Sequence, residues 1–220
     1  VRMAGTGTIL PSTNGLLLPF DAVNLSAVDV RVIKIYADNV AQFLQVNDPG
    51  GEQELARVGR LVKKSTVPLR AKDAVDPHRW VRYYLDLDEL IQPEPGAIYR
   101  VELGFRQEYS LYACEGTDPK AAPLPERTSI TEEDEAQWDN YEGYWYYEGD
   151  YYYEDYDYSQ RDNPCTPSYY GSRHTVTRNI LASDLGLIAK RGNDGSMLVA
   201  CSDLRTTAPM GGVRIDVLDL

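Results

Sequence analysis

The sequence predicts an all-β fold, an antiparallel β-sandwich interrupted by one long insertion, and three observations carry that reading. Short runs rich in Val, Ile, Leu, Tyr and Thr recur along the chain, separated by clusters of Gly, Pro, Asn and Asp. Helical spacing is confined to brief pieces. Between Cys114 and Gly171 the composition turns acidic and aromatic, unlike either flank. The 220 residues, 43% hydrophobic and 25% charged, suit a soluble globular chain of one large or two small domains.

In chain order, Thr8 to Leu10 is a short edge strand set among Gly5, Gly7, Pro11 and Asn14. The Gly5-Thr6-Gly7 triplet has no following helix and no Gly-Lys-Ser/Thr, so it is not a phosphate loop. Leu16 to Val23 reads as a strand that Pro19 confines to an edge or a bulge. Val28 to Tyr36 carries apolar residues on both faces, Val28, Val30 and Val32 against Ile33 and Ile35, which predicts a central strand. Asn24-Leu25-Ser26 matches a glycosylation sequon, but a turn between strands accounts for it.

Asp38 to Val46 is predicted as a short helix capped by Asp38 or Asn39, with a further turn after Glu52. Leu61 to Leu69 follows as a strand. Arg57, Arg60, Lys63, Lys64, Arg70 and Lys72 around it read as a solvated edge that discourages pairing. Strands are also expected over Arg79 to Leu87, Ala97 to Tyr112 and Arg173 to Ile180, the last closing the domain. A short linker then leads to Leu185 to Lys190, a Gly192-Asn193-Asp194-Gly195 turn, Ser196 to Ser202, and a last strand from Val213 to Leu218. Residues 1–182 therefore form one sandwich with its insertion at about 114–171. Residues 183–220 are the opening strands of a second sandwich that lacks its remaining strands, which reads as a piece of a longer protein.

The insertion holds twelve carboxylates and nine tyrosines between Thr131 and Cys165, and no basic residue between Arg127 and Arg161. Tyrosine favours strands, so Tyr144 to Tyr153 is predicted as an aromatic hairpin about Gly149 that folds its rings onto the sandwich or onto itself. The competing use of the tract is partner contact through Trp138, Tyr144, Trp145, Tyr147, Tyr151 and Tyr153. Calcium binding is disfavoured, since the tract has no EF-hand loop pattern and its carboxylates are interleaved with bulky rings. In an oxidising compartment Cys114 and Cys165 are the natural disulfide pair, stabilising by about 4 kcal/mol in the chain-entropy model. Cys201 reads as a small core residue.

A net charge of −12 argues against a nucleic-acid partner. No apolar run approaches the roughly 18 residues that cross a bilayer as a helix. His78 and His174 are far apart, without a ligand set beside them, so no metal or other cofactor is expected. Nothing resembles GxSxG, HExxH or a nucleotide loop, and no enzyme is predicted.

Ser183-Asp184-Leu185-Gly186-Leu187, the basic pair Lys190-Arg191, then Asp203-Leu204-Arg205-Thr206 and Pro209-x-Gly211-Gly212-Val213 resemble the opening of a macroglobulin-like domain of the bacterial alpha-2-macroglobulin family. Gly15 to Asn24 followed by Val28 to Val32 resembles the strand pair that begins the preceding domain. Pro93-Glu94-Pro95-Gly96-Ala97-Ile98-Tyr99-Arg100-Val101 is similar to that domain's penultimate strand. The resemblance is to N-terminal macroglobulin-like domains of the Bacteroidetes type, immunoglobulin- or fibronectin-III-like in form, and leaves the tyrosine tract uncovered. It implies a non-catalytic scaffold segment of a protease-trapping endopeptidase inhibitor. Such proteins lie in the periplasm or at the cell surface, often as lipoproteins. Its partners would be neighbouring domains of its own chain and, through the full-length protein, target proteases. The family's Cys-x-Glu-Gln thioester motif is absent, as Cys114, Cys165 and Cys201 precede Glu115-Gly116, Thr166-Pro167 and Ser202-Asp203. The alternative is a surface adhesion or glycan-binding sandwich that uses the aromatic acidic insertion.

Overall fold

The computed structural model describes residues 1–12, 15–69, 76–116, 129–139, 156–171 and 174–217. Ten strands are found among them: β1 (Arg2–Met3), β2 (Ile9–Leu10), β3 (Leu17–Ala22), β4 (Ala27–Ile35), β5 (Gly59–Pro68), β6 (Val81–Asp86), β7 (Ile98–Gly104), β8 (Val176–Ala182), β9 (Leu185–Arg191) and β10 (Met197–Asp203). Four short helices accompany them: α1 (Val40–Phe43), α2 (Leu55–Val58), α3 (Glu132–Asp139) and α4 (Pro167–Gly171). A three-stranded sheet in the order β1-β3-β6 faces a five-stranded sheet in the order β2-β8-β7-β4-β5, and β9 pairs with β10 alone. All pairings are antiparallel except β2 with β8. The mostly β, antiparallel sandwich expected from the sequence is the observed architecture.

The period of two in β4 explains how one sheet serves two cores. Val28, Val30 and Val32 turn inward to meet Leu18 and Phe20 of β3, Leu85 of β6, and Tyr99, Val101 and Leu103 of β7. Ile33 and Ile35 turn outward and are covered by Phe43, Leu55, Val58 and Trp138. With both faces sealed, β4 is central, as its sequence indicates, and its apolar residues are at most 2% exposed.

Several local expectations change. Pro19 does not place β3 at an edge, because β3 pairs with β6 over its full length and with β1 at Asp21 and Phe20. The β1 contact is so short that a missing N–H at Pro19 breaks no ladder there, and the Pro19 carbonyl still accepts from the Ala4 amide at 3.1 Å. Neither Asp38 nor Asn39 makes a side-chain cap, and Asn39 instead donates to the Val58 carbonyl at 3.0 Å. The strand expected over Ala97 to Tyr112 ends at Gly104, after which the chain turns through Gln107–Tyr109. Residues 213–217 form no strand. Without the tight pairing that alternation alone cannot supply, Val217 stays 76% exposed.

Candidate functional site: the disulfide-closed insertion and its cleft

Cys114 and Cys165 are bonded, with 5.7 Å between their α-carbons and a sequence separation of 51. The bond closes the insertion at its base, so both ends of the tract start from one point on the sandwich.

Toward the insertion's beginning, α3 docks on the outer face of the five-stranded sheet. Asp134 meets Lys64 of β5 at 2.7 Å, with 3% and 9% of the two side chains exposed. Burial pushes the Asp134 carboxyl up, but the Lys64 ammonium and the Thr131 backbone and hydroxyl donors outweigh it and hold the group below its ordinary value. Thr131 is in turn the helix cap, accepting from the Asp134 amide at 3.2 Å. Trp138, expected among the exposed contact residues, is 2% exposed in the second core, and its indole N–H donates to the Gly59 carbonyl at 3.3 Å. This is a correction: a large ring beside Ile33, Phe43 and Val58 gains more from burial than from display. Gly59 allows the strands to approach here, since a β-carbon on it would lie 2.4 Å from the Lys34 carbonyl oxygen. Lys64 likewise departs from the solvated edge foreseen for the basic cluster, whose Arg70 and Lys72 lie outside the described residues. Tyr144, Trp145, Tyr147, Tyr151 and Tyr153, and the hairpin expected around Gly149, also lie outside them.

Toward the insertion's end, residues 156–171 fold into a small cap. The Asp157 amide donates to the Ser168 hydroxyl at 2.9 Å and the Tyr170 hydroxyl donates to the Pro164 carbonyl at 2.8 Å. Pro167 occupies the first position of α4, where its missing N–H costs nothing. The cap is held by rings. Phe105 meets Tyr170 edge-on at 6.1 Å and stacks on His174 at 5.2 Å, and Tyr169 lies 4.4 Å from His174. Burial keeps the His174 imidazole below its ordinary range, against a hydrogen bond that the ring donates to the Tyr169 backbone, which raises it.

The loop under the cap is fixed by Asp29. Its carboxylate accepts from Thr66 and the Tyr109 hydroxyl, each at 2.8 Å, and pairs with Arg106 at 2.5 Å. Burial and the bond to Asp29 push the Tyr109 phenol up to about 12. Between cap, loop and sandwich lies a cleft of about 150 Å³, walled by Val23, Leu25, Trp80, Phe105, Tyr169 and Tyr170. Asn24 sits at its rim in the left-handed conformation, φ 54°, and its side-chain oxygen lies 2.8 Å from the His78 ring. His78 thus hydrogen-bonds a turn at the surface, while His174 packs among the rings of the cap.

Trp80 also begins the outer face of the three-stranded sheet. The Arg2 guanidinium lies 4.5 Å from the Trp80 ring centroid, a cation–π contact. Arg2 and Arg82 both bind the buried Asp21 carboxylate, at 3.0 and 2.8 Å. The Arg82 hydrogen bond holds Asp21 below its ordinary range, with Arg2 adding to it and burial opposing.

Past β8 the chain reaches Asp184, which accepts from the Ser12 amide and hydroxyl at 2.7 Å each and lies 3.5 Å from Arg205. Its own carbonyl receives the Leu204 amide at 2.7 Å. One residue therefore ties the N-terminal segment to the β9–β10 hairpin. Leu187, Ile188, Met197 and Leu198 of that hairpin are 55–69% exposed, and Cys201 is a half-buried free thiol, not the core residue its strand pattern suggested.

Among the described residues, no group of three His, Cys, Asp or Glu gathers to hold a metal, and no helix is long and apolar enough to cross a membrane. Neither a family model nor a curated protein sequence matches the chain. Two solved structures are similar to it. A crystal structure of native alpha-2-macroglobulin from Escherichia coli spanning domains MG0-NIE-MG1 is 16% identical, with 95% of this chain and 46% of that one covered and a TM-score of 0.43. One spanning domains NIE-MG1 is 13% identical, with 95% and 71% covered and a TM-score of 0.49. The chain thus spans about half the length of the first.

Proposed function

We propose that this chain is a non-catalytic scaffold segment of an alpha-2-macroglobulin-like protease trap in a bacterial cell envelope. The carrying observation is the junction: a sandwich that seals its own core passes, through the bonded Asp184, into a hairpin whose apolar side chains are left open. Such a hairpin suits the first strands of a following sandwich, with residues 1–182 and 183–220 belonging to two stacked units. The resemblance of Ser183 to Leu187 and of Asp203 to Val213 to a domain opening supports the same division. The Cys114–Cys165 disulfide supports an extracytoplasmic location, where such bonds persist. Lipid anchoring of the full-length protein belongs to the same proposal.

The test uses the longer protein that contains this segment. Incubated with trypsin, it is expected to spare cleavage of a small chromogenic peptide while blocking cleavage of a large protein substrate, because a caged protease excludes bulk. The 220-residue chain alone is expected to change neither. Equal loss of both activities with this chain alone would make it a direct inhibitor and refute the scaffold role.

A further inference from the structure

We propose that the open edge of β6 pairs with β6 of a second copy of this chain, antiparallel about a two-fold axis at Tyr84, so that the two three-stranded sheets run on as one. This surface is separate from the junction on which the scaffold reading rests.

Topology leaves that edge open. The sheet order is β1-β3-β6, so among the described residues β6 has a neighbour on one side only, and β1, with the first residues of the sequence, lies across β3 from it. The Leu87 amide donates to the Leu16 carbonyl at 3.0 Å, whereas the carbonyl of Pro19, opposite Tyr84, is turned to the β1 side, where the Ala4 amide donates to it at 3.1 Å. Antiparallel pairing alternates, so Val81, Tyr83 and Leu85 bond to β3 while Arg82, Tyr84 and Asp86 turn their N–H and C=O groups outward. Such a row is a template for another strand, and β6 has neither a proline nor a bulge to blunt it. β5, an edge of the other sheet, is irregular opposite Val32 and Ile33 and carries Arg60 and Lys63 but no acid, so a second copy there would meet like charge.

Charge sets the register. Around the start of β6, Arg2, Arg79 and Arg82 stand against Asp21 and Asp76, which leaves that end positive. Asp86, Asp88 and Glu89 make the other end negative, with no ion pair there among the described residues. An axis at Tyr84 puts Arg82 opposite Asp86 of the second copy, twice over, and each positive start beside a negative end. An axis at Arg82 or at Asp86 would oppose like charges, which destabilises a strand pair. Arg82 uses Nε and Nη2 for Asp21, leaving Nη1, and Asp86 uses Oδ1 for the Asp88 amide, leaving Oδ2. Tyr84, 61% exposed, meets its own copy across the axis, and on the inner face Tyr83, stacked on Phe20, meets Leu85. A patch that complements itself is what a two-fold dimer requires. With only six residues in the strand, the contact buries less than the roughly 1,600 Å² of a standard interface, so the dimer is weak. The net charge of −12 on each copy opposes it until salt screens the repulsion.

Sedimentation velocity of the folded chain, in about 0.15 M salt and over about 5 to 500 µM protein, is expected to show a reversible monomer–dimer equilibrium. Tyr84→Pro deletes an N–H that faces the edge and not β3, so circular dichroism should show it folded while the dimer weakens at least about tenfold. Asp86→Lys should weaken it similarly by opposing Arg82. Mixed with an Arg82→Glu chain, the Asp86→Lys chain should dimerise again, because unlike charges then face each other at both positions. The Tyr84 amide of the parent should gain protection from hydrogen exchange as concentration rises. The proposal is overturned if the parent stays monomeric over this range, or if the folded Tyr84→Pro or Asp86→Lys chain associates as the parent does, which would move the contact to another surface.

Discussion

Leu103 and Leu198 each stand in a seven-residue antiparallel strand, β7 and β10, yet the first is 0% exposed and the second 69%. Strand propensity does not separate them. The neighbours do: β7 lies between β4 and β8, beneath a second sheet, whereas β10 has β9 on one side and no sheet among the described residues across either face. Among the described residues the sandwich buries its own core, whereas the hairpin leaves its apolar side chains exposed. Part of the insertion belongs with the sandwich, since α3 supplies Trp138 and Asp134 to its outer face.

The largest effect is expected where that union is broken. Asp134→Ala leaves the Lys64 ammonium buried without this carboxylate and should cost about 3–5 kcal/mol in urea unfolding, whereas Lys64→Met with Asp134→Leu should recover most of it. If Asp134→Ala unfolds like the parent, α3 is a surface appendage and the insertion parts from the sandwich. Next, Leu103→Ala should cost about 2–5 kcal/mol, by lost burial plus the cavity left behind. A smaller effect should appear with pH. The folded His174 imidazole titrates below its unfolded value of about 6.5, so its contribution is complete above that pH and is lost as pH falls through the folded value. Asp21 and Asp134, held low, lose theirs only further down, below the unfolded carboxylate value of about 3.9. A stability profile with an early step that His174→Gln removes would bear this out, and one flat between pH 7 and 5 would not. Smallest of all, Leu198→Ala should shift the unfolding midpoint by no more than about 0.5 kcal/mol.

The sequence made the sandwich legible because runs of strand-forming residues separated by turn residues recur along it, and because β4 carries apolar residues on both faces. The two-faced pattern of Val28 to Ile35 pointed to a central strand, and the structure gives it a core on each face. Cys114 and Cys165 were legible because they bracket the change in composition. Trp138 was not, because a tryptophan among Glu132, Glu133 and Asp134 looks solvated, and its hydrogen-bond partner Gly59 comes from a strand 79 residues away. A signal was present in Thr131-Glu132-Glu133-Asp134, where a capping residue followed three positions later by a carboxylate marks a helix start. The cleft was hidden for a different reason: Trp80, Phe105 and Tyr169 meet only once the disulfide has brought the cap to the sandwich.

Native-state hydrogen exchange on the intact chain tests this contrast most directly. Amides of β4 and β7 should exchange only through global unfolding, with rates that follow denaturant, and those of β9 and β10 should exchange far faster through local opening that denaturant barely changes. Hairpin amides protected to the same level as β4 would show that β9 and β10 are part of the sandwich's own cooperative unit, and would contradict the account.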